Sequence, residues 1–148
     1  ASISMEDALI KESFDEIMAF EIEGKLGIER PAFIYDYPSS MASLAKLKDD
    51  NPKVAERFEL YIGGVEIANG FSELTDHIEQ KIRFEQVLKN YYSKSKNRTN
   101  MKIPDKFLED IKNLSETAGI ALGVDRLIMI FCNSKSIEEV VAFTPEEL

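Results

Sequence analysis

Residues 54–74 read VAERFELYIGGVEIANGFSEL, two β-rich runs on either side of Gly63-Gly64. A glycine pair between such runs favours a tight two-residue hairpin turn. The turn sets a register: Ile62 pairs with Val65, Tyr61 with Glu66 and Glu59 with Ala68. Side chains alternate faces along a strand. Glu59, Tyr61, Glu66 and Ala68 therefore share one face, with Glu59 diagonal to Glu66, about 7–8 Å away on such a ladder. The same alternation sends Asn69, Phe71 and Glu73 to the opposite face. A pocket using both sets requires a bulge or strong twist between Glu66 and Phe71, and Gly70 is a tolerant position for one.

The hairpin sits among helical patterns. Residues 4–20 carry an amphipathic stripe of Leu9, Ile10, Phe14, Ile17 and Met18, with Ser4 as cap and Asp7 in the capping-box position. AFIYDYP, residues 32–38, reads as a short buried strand, and SSMASLAKLK as a few helical turns or a loop. From Asp76 a long helix follows, capped by Thr75 or Asp76, with Ile78, Ile82, Val87 and Tyr91 on its buried side. A second helix begins near Pro104 and GIALGV forms a late strand. DRLIMIFC opens a final buried helix with Asp125 at its start, and SIEEVVAF adds a last turn or two. A hairpin and a late strand among helices predict an α+β domain with an antiparallel sheet.

The acidic residues of the hairpin admit two readings. One is a solvated sheet face. The other is a site for a cation: Mg²⁺ is typically held by one or two carboxylates together with substrate phosphates, and Glu59 and Glu66 are so spaced. A buried Glu73 would need a charged or hydrogen-bonded partner. A lysine-like ammonium would serve, with Phe71 walling its aliphatic stem and Asn69 fixing a polar group. Gly119 and Gly123 let a flat ligand approach the backbone closely. Arg126 sits in the first turn of the last helix, where a guanidinium can bind phosphate oxygens bidentately. A salt bridge to Asp125 or a nearby glutamate is the structural alternative for Arg126.

The net charge of −9 disfavours non-specific binding to polyanions. The basic stretch KNYYSKSKNR, residues 89–98, reads as a solvated helix end. The lone Cys132, inside an apolar run, reads as a buried thiol and excludes a disulfide framework. No apolar run reaches the roughly 20 residues of a membrane span and no signal-peptide pattern opens the chain, so no membrane partner and a cytoplasmic setting are expected.

ERFELYIGGVEIANGFSELTD, followed after a helical insert by GIALGVDRLIMIF, resembles the C-terminal half of a class II lysyl-tRNA synthetase catalytic domain. The second segment resembles class II motif 3. The phrases YDYPSSMASLA, VAERFELY, IANGFSELTD, IEQKIRFEQ and GIALGVDR bring the chain nearer to the elongation factor P–lysine ligases, with dense similarity from about Arg30 to Phe143. Ala121 stands where lysyl-tRNA synthetases usually have glycine. The ligases have alanine there, associated with β-lysine over lysine; Ala68 and Thr75 lean the same way.

The resemblance implies that Glu59 and Glu66 hold Mg²⁺ and ATP and that Ile67 lines the region of the nucleotide phosphates. It implies that Gly123 lies against ATP and that Arg126 is the catalytic contact to the terminal phosphate. Glu73, Asn69, Phe71 and Ala121 would bind the amino acid. The implied reaction is adenylation of lysine or β-lysine and transfer to a lysine of elongation factor P. Motifs 1 and 2 are not recognisable, so residues 1–148 are expected to form a single partial catalytic domain that does not make the adenylate alone. Exposed apolar surface, self-association and a homo-oligomer of the complete protein are further expectations. Two other readings stay open: a fragment of a lysyl-tRNA synthetase acting on tRNA-Lys, and a non-catalytic synthetase-like binding module.

Overall fold

A computed structural model describes residues 14–94 and 101–144 of the chain. Four strands, β1 (Ala32–Pro38), β2 (Val54–Ile62), β3 (Val65–Ser72) and β4 (Ala118–Leu122), form one antiparallel sheet in the order β1-β2-β3-β4. The helices are α1 (Phe14–Ile17), α2 (His77–Lys94), α3 (Asp105–Asp110) and α4 (Val124–Cys132), and the class is α+β, as the residue pattern predicts. α1 runs into a wide π turn at Met18–Ile22. The first part of the helix expected over residues 4–20 lies outside the described residues, as does the end of the basic stretch at 89–98.

The hairpin forms where the glycine pair places it. Gly63 and Gly64 have φ of 60° and 80°, the left-handed values that a two-residue turn of this kind demands. Their amides donate to the carbonyls of Gly27 and Leu26 at 2.8 Å each, so the loop before β1 closes over the turn and its backbone donors are not left unpaired.

Contacts divide the chain into two compact units, Ala1–Asp36 with Phe58–Gly70 and Ile120–Leu148, and Tyr37–Arg57 with Phe71–Gly119. In the first unit Met18, Tyr61, Ile67 and Ala68 are buried, and the rings of Phe33 and Phe58 lie 5.8 Å apart. In the second the core is Tyr37, Ala42, Ala45, Ala55, Leu74, Leu108 and Ile111. There the guanidinium of Arg57 lies 4.5 Å from the centre of the Tyr37 ring and donates to Met41 O at 2.9 Å.

Only Ser39–Met41 of the SSMASLAKLK stretch is helical. Ser43 and Leu44 then form a turn, with Ser43 at a φ of 52°, and the chain bridges to strands beyond it: Ala45 pairs with Glu73 and Leu47 with Ala55. Lys46 N donates to Ser72 O at 2.8 Å, and Leu74 N to Leu44 O at 3.0 Å. Backbone groups that a helix would satisfy internally are here satisfied by strand partners.

α2 starts at a cap that the sequence signals. Asp76 Oδ1 accepts the amides of Ile78 at 2.8 Å and Glu79 at 3.2 Å, and the Glu79 and Ile78 bonds hold its carboxyl below the usual aspartate range. The inward face of α2 differs from expectation. Ile78, Ile82 and Val87 are exposed; the less exposed positions run through Gln80, Arg83, Phe84, Leu88 and Tyr91. The reason is polar. The carbonyls of Ser43 and Ala45 accept bonds of 2.9 and 2.8 Å from Arg83 Nη1, and Arg83 also pairs with Glu79. Backbone acceptors opposite the helix select a guanidinium over an aliphatic side chain.

Two apolar elements are more exposed than expected. β1 leaves Phe33 and Tyr35 open, and α4 buries no residue, with Val124, Ile128, Phe131 and Cys132 exposed. Cys132 is therefore not the core thiol that its apolar neighbours suggest. β1 and β4 are the outer strands of the sheet, and these side chains are largely open to solvent.

Candidate active site

In the first unit the site grows from β2 and β3. Glu59 is 7% exposed, and a carboxylate this buried requires partners. Tyr61 OH, two residues along the same face, donates to Oε2 at 2.7 Å; Asn69 Nδ2 donates to Oε1 at 3.0 Å. Tyr61 is 1% exposed, so its hydroxyl is fixed by packing. The sequence places Tyr61 beside Glu59 without assigning it a role. The i, i+2 spacing on a strand is the signal for that role.

The Asn69–Glu59 bond also bears on the sheet. Regular alternation from the Gly63-Gly64 turn would point Asn69 away from Glu59. The bond puts both side chains on one face, and consecutive Ile67 and Ala68 are both buried. Alternation is therefore broken between the turn and Asn69.

Glu66 and Arg126 meet at the junction of β3 with α4. Gly123 N donates to Ile67 O at 2.9 Å and so docks the start of α4 on β3. Three residues later Arg126 turns back, and its Nη1 donates to Glu66 O at 3.0 Å and Glu66 Oε2 at 3.2 Å. A Cβ on Gly123 would lie 3.4 Å from Arg126 Cδ, so the glycine leaves room for the arginine stem. The pair is half exposed, and exposed ion pairs contribute only about 0–1 kcal/mol. Ile67 is buried beneath this junction, and Ala121 on β4 is exposed.

Glu59 and Glu66 are too few for an all-protein metal cage and would hold Mg²⁺ only alongside nucleotide phosphates. Among the described residues no three His, Cys, Asp or Glu side chains converge, and Mg²⁺ in nucleotide sites takes few carboxylates.

Phe71 and Glu73 belong to the second unit. Glu73 is held through its backbone: N donates to Thr117 O at 2.9 Å and the residue bridges Ala45. Its side chain is half-buried, and its carboxylate makes no hydrogen bond or ion pair with a described residue. Phe71 is likewise half-buried. Arg83 is a supporting residue that the sequence reading misses. Its hold on Ser43 and Ala45 fixes the segment that flanks Glu73.

An antiparallel sheet carrying a buried, tyrosine-braced glutamate, with an arginine in the first turn of the helix after its last strand, defines a class II synthetase-type catalytic domain. The model of the class II tRNA synthetases (D, K and N) matches residues 1–147, and the chain belongs to that family. It is 44% identical over 131 residues to the elongation factor P–(R)-β-lysine ligase of Pectobacterium carotovorum subsp. carotovorum (strain PC1), an alignment covering 88% of this chain and 40% of the relative. The ligase of that name from Proteus mirabilis (strain HI4320) is 46% identical over 123 residues, covering 82% and 37% respectively. The chain thus spans about two fifths of the length of the curated relatives it matches.

Proposed function

We propose that this chain supplies the acidic and motif 3 side of the active site of an ATP-dependent lysine ligase that acts on elongation factor P. The observation that carries this reading is Glu73: a half-buried carboxylate with no described partner suits a substrate ammonium group. The names of relatives 43–46% identical supply the substrate class, β-lysine, and the acceptor, elongation factor P. Ala121 supports β-lysine over lysine by residue type, a discrimination of about 1–3 kcal/mol for a methyl-sized change.

In this reading Asn69, held by Glu59, fixes a polar group of the amino acid, and Phe71 walls its stem. Arg126 leaves Glu66 for the terminal phosphate of ATP. Glu66 and Glu59 would hold Mg²⁺ together with the phosphates, and the ion would supply charge neutralisation there. A carboxylate oxygen of the amino acid attacks the α-phosphorus, the bond to pyrophosphate breaks, and pyrophosphate leaves. The Nζ of an acceptor lysine then attacks the acyl carbon, losing a proton as AMP departs. Rate enhancement comes from positioning and charge complementarity, with no covalent enzyme nucleophile. Motifs 1 and 2 are not recognisable in the chain, so it binds substrates without forming the adenylate by itself. The setting is cytoplasmic, where elongation factors work; no helix among the described residues is long and apolar enough to cross a membrane.

The test is calorimetry of the chain with β-lysine and with lysine, each with ATP and Mg²⁺. A chimera with the preceding part of the Pectobacterium relative is then offered labelled β-lysine with elongation factor P or tRNA-Lys. β-Lysine binding and labelling of elongation factor P support the reading. Labelling of tRNA-Lys would convert it to a synthetase, and absence of any ATP or amino-acid binding would reduce it to a non-catalytic module.

A further inference from the structure

Glu73 and Gly119 stand in an unusual relation within the second unit. A Cβ built on Gly119 would fall 2.5 Å from Glu73 Oε1 and 3.7 Å from Glu73 Cδ. Apart from Gly119 and its chain neighbours, no other described residue has a heavy atom within 4 Å of that position. The carboxylate thus rests over the bare Cα of Gly119, in the space that any other side chain would take. Close packing brings carbon and oxygen to about 3.5 Å. A methyl group at Gly119 would therefore push the carboxylate back by about 1 Å, and would meet no backbone atom.

The backbone of Glu73 cannot follow such a push. Its amide is bonded to Thr117 O at 2.9 Å, and its neighbours Ser72 and Leu74 are bonded to Lys46 and Leu44. Displacement falls on the side chain alone, which has no other described partner to hold it. We propose that Gly119 is a positioning and specificity residue: its missing side chain is the seat that sets where Glu73 presents its carboxylate, and hence the length of amino acid whose ammonium group is accepted. This rests on the reading of Glu73 as the ammonium acceptor. Gly119 acts through Glu73 and touches no reacting atom.

The test compares the chain with Gly119→Ala, Glu73→Asp and the double variant. One readout is the carboxyl carbon resonance of residue 73. The other is calorimetry with β-lysine, with lysine, and separately with ATP and Mg²⁺. Misplacing a binding group by about 1 Å can cost on the order of 100-fold, so Gly119→Ala is expected to move the Glu73 resonance and weaken β-lysine binding by about 10- to 100-fold, with ATP affinity within about twofold. Aspartate is one methylene shorter and withdraws the carboxylate from the seat. The double variant should therefore bind no more weakly than Glu73→Asp alone. An unmoved resonance and unchanged amino-acid affinity in Gly119→Ala overturn the inference. So does an equal loss from Gly119→Ala in the Glu73→Asp background. Wild-type chain that binds no lysine-type amino acid, with the resonance still moved by Gly119→Ala, sinks the ammonium reading and leaves the seat standing.

Discussion

Removing one hydroxyl tests the network around Glu59. Tyr61→Phe preserves the ring, which is 1% exposed, and deletes the 2.7 Å bond to Glu59 Oε2. Glu59 is 7% exposed, so water replaces the lost donor poorly. A hydrogen bond to a charged group contributes about 1.5–3 kcal/mol, and the Asn69 bond to the other oxygen remains. The expected loss is about 2 kcal/mol. With a urea slope of about 2 kcal/mol per molar, the unfolding midpoint should fall by about 1 M. Equilibrium urea unfolding followed by far-UV circular dichroism reads this directly, with an unchanged slope showing that the unfolded state is the same. A midpoint within about 0.2 M of wild type would refute the argument, because it would mean that the Tyr61–Glu59 bond offsets no desolvation. The variant should also bind ATP with Mg²⁺ more weakly, since Glu59 then loses one of the bonds that hold it.

Three more outcomes follow from named contacts. Arg83→Met removes the donor to Ser43 O and Ala45 O; stability should fall by about 2–3 kcal/mol, and hydrogen exchange at the Lys46 and Leu74 amides should quicken. Unaltered exchange there would show that the strand pairing does not need the guanidinium. Arg126→Lys keeps a charge but not the fork, so affinity for ATP with Mg²⁺ should drop about tenfold in calorimetry; equal affinity would remove Arg126 from the phosphate role. Asp76 has a folded pKa lowered by the amides of Glu79 and Ile78, so its contribution is present above the unfolded value of about 3.9 and is lost as pH falls through the folded pKa. Asp76→Ala should therefore lower stability near neutral pH and flatten the acid limb of the urea midpoint below about pH 5; an acid limb identical to wild type would exclude the cap as its source.

The hairpin, its turn and the cap of α2 were legible because each rests on a local rule. A glycine pair supplies positive φ at Gly63 and Gly64 whatever surrounds it, and the Asp76 carboxylate reaches amides two and three residues away. Motif residues likewise announced Glu59, Glu66, Asn69 and Arg126, and the structure joins Glu59 to Asn69 and Glu66 to Arg126. The inward face of α2 was not legible. Apolarity pointed to Ile78 and Ile82, while Arg83 turned inward because carbonyls 38 and 40 residues away accept its bonds, with Gln80 buried on the same side. The exposure of Phe131 and Cys132 was hidden for a related reason: an apolar run shows that a face can be covered, not that a described residue covers it.

By itself, then, the sequence determined where the hairpin turns, where the main strands and helices lie, and which carboxylates and arginine the family resemblance nominates. These are properties of neighbours in the chain, fixed by dihedral preference and side-chain type. Tertiary structure alone decided that Tyr61 and Asn69 brace Glu59, that the alternation of β3 breaks before Asn69, and that Glu73 rests on Gly119. Those relations depend on strand register and on the space left between segments 46 residues apart in the last case, and no local rule sets such a distance.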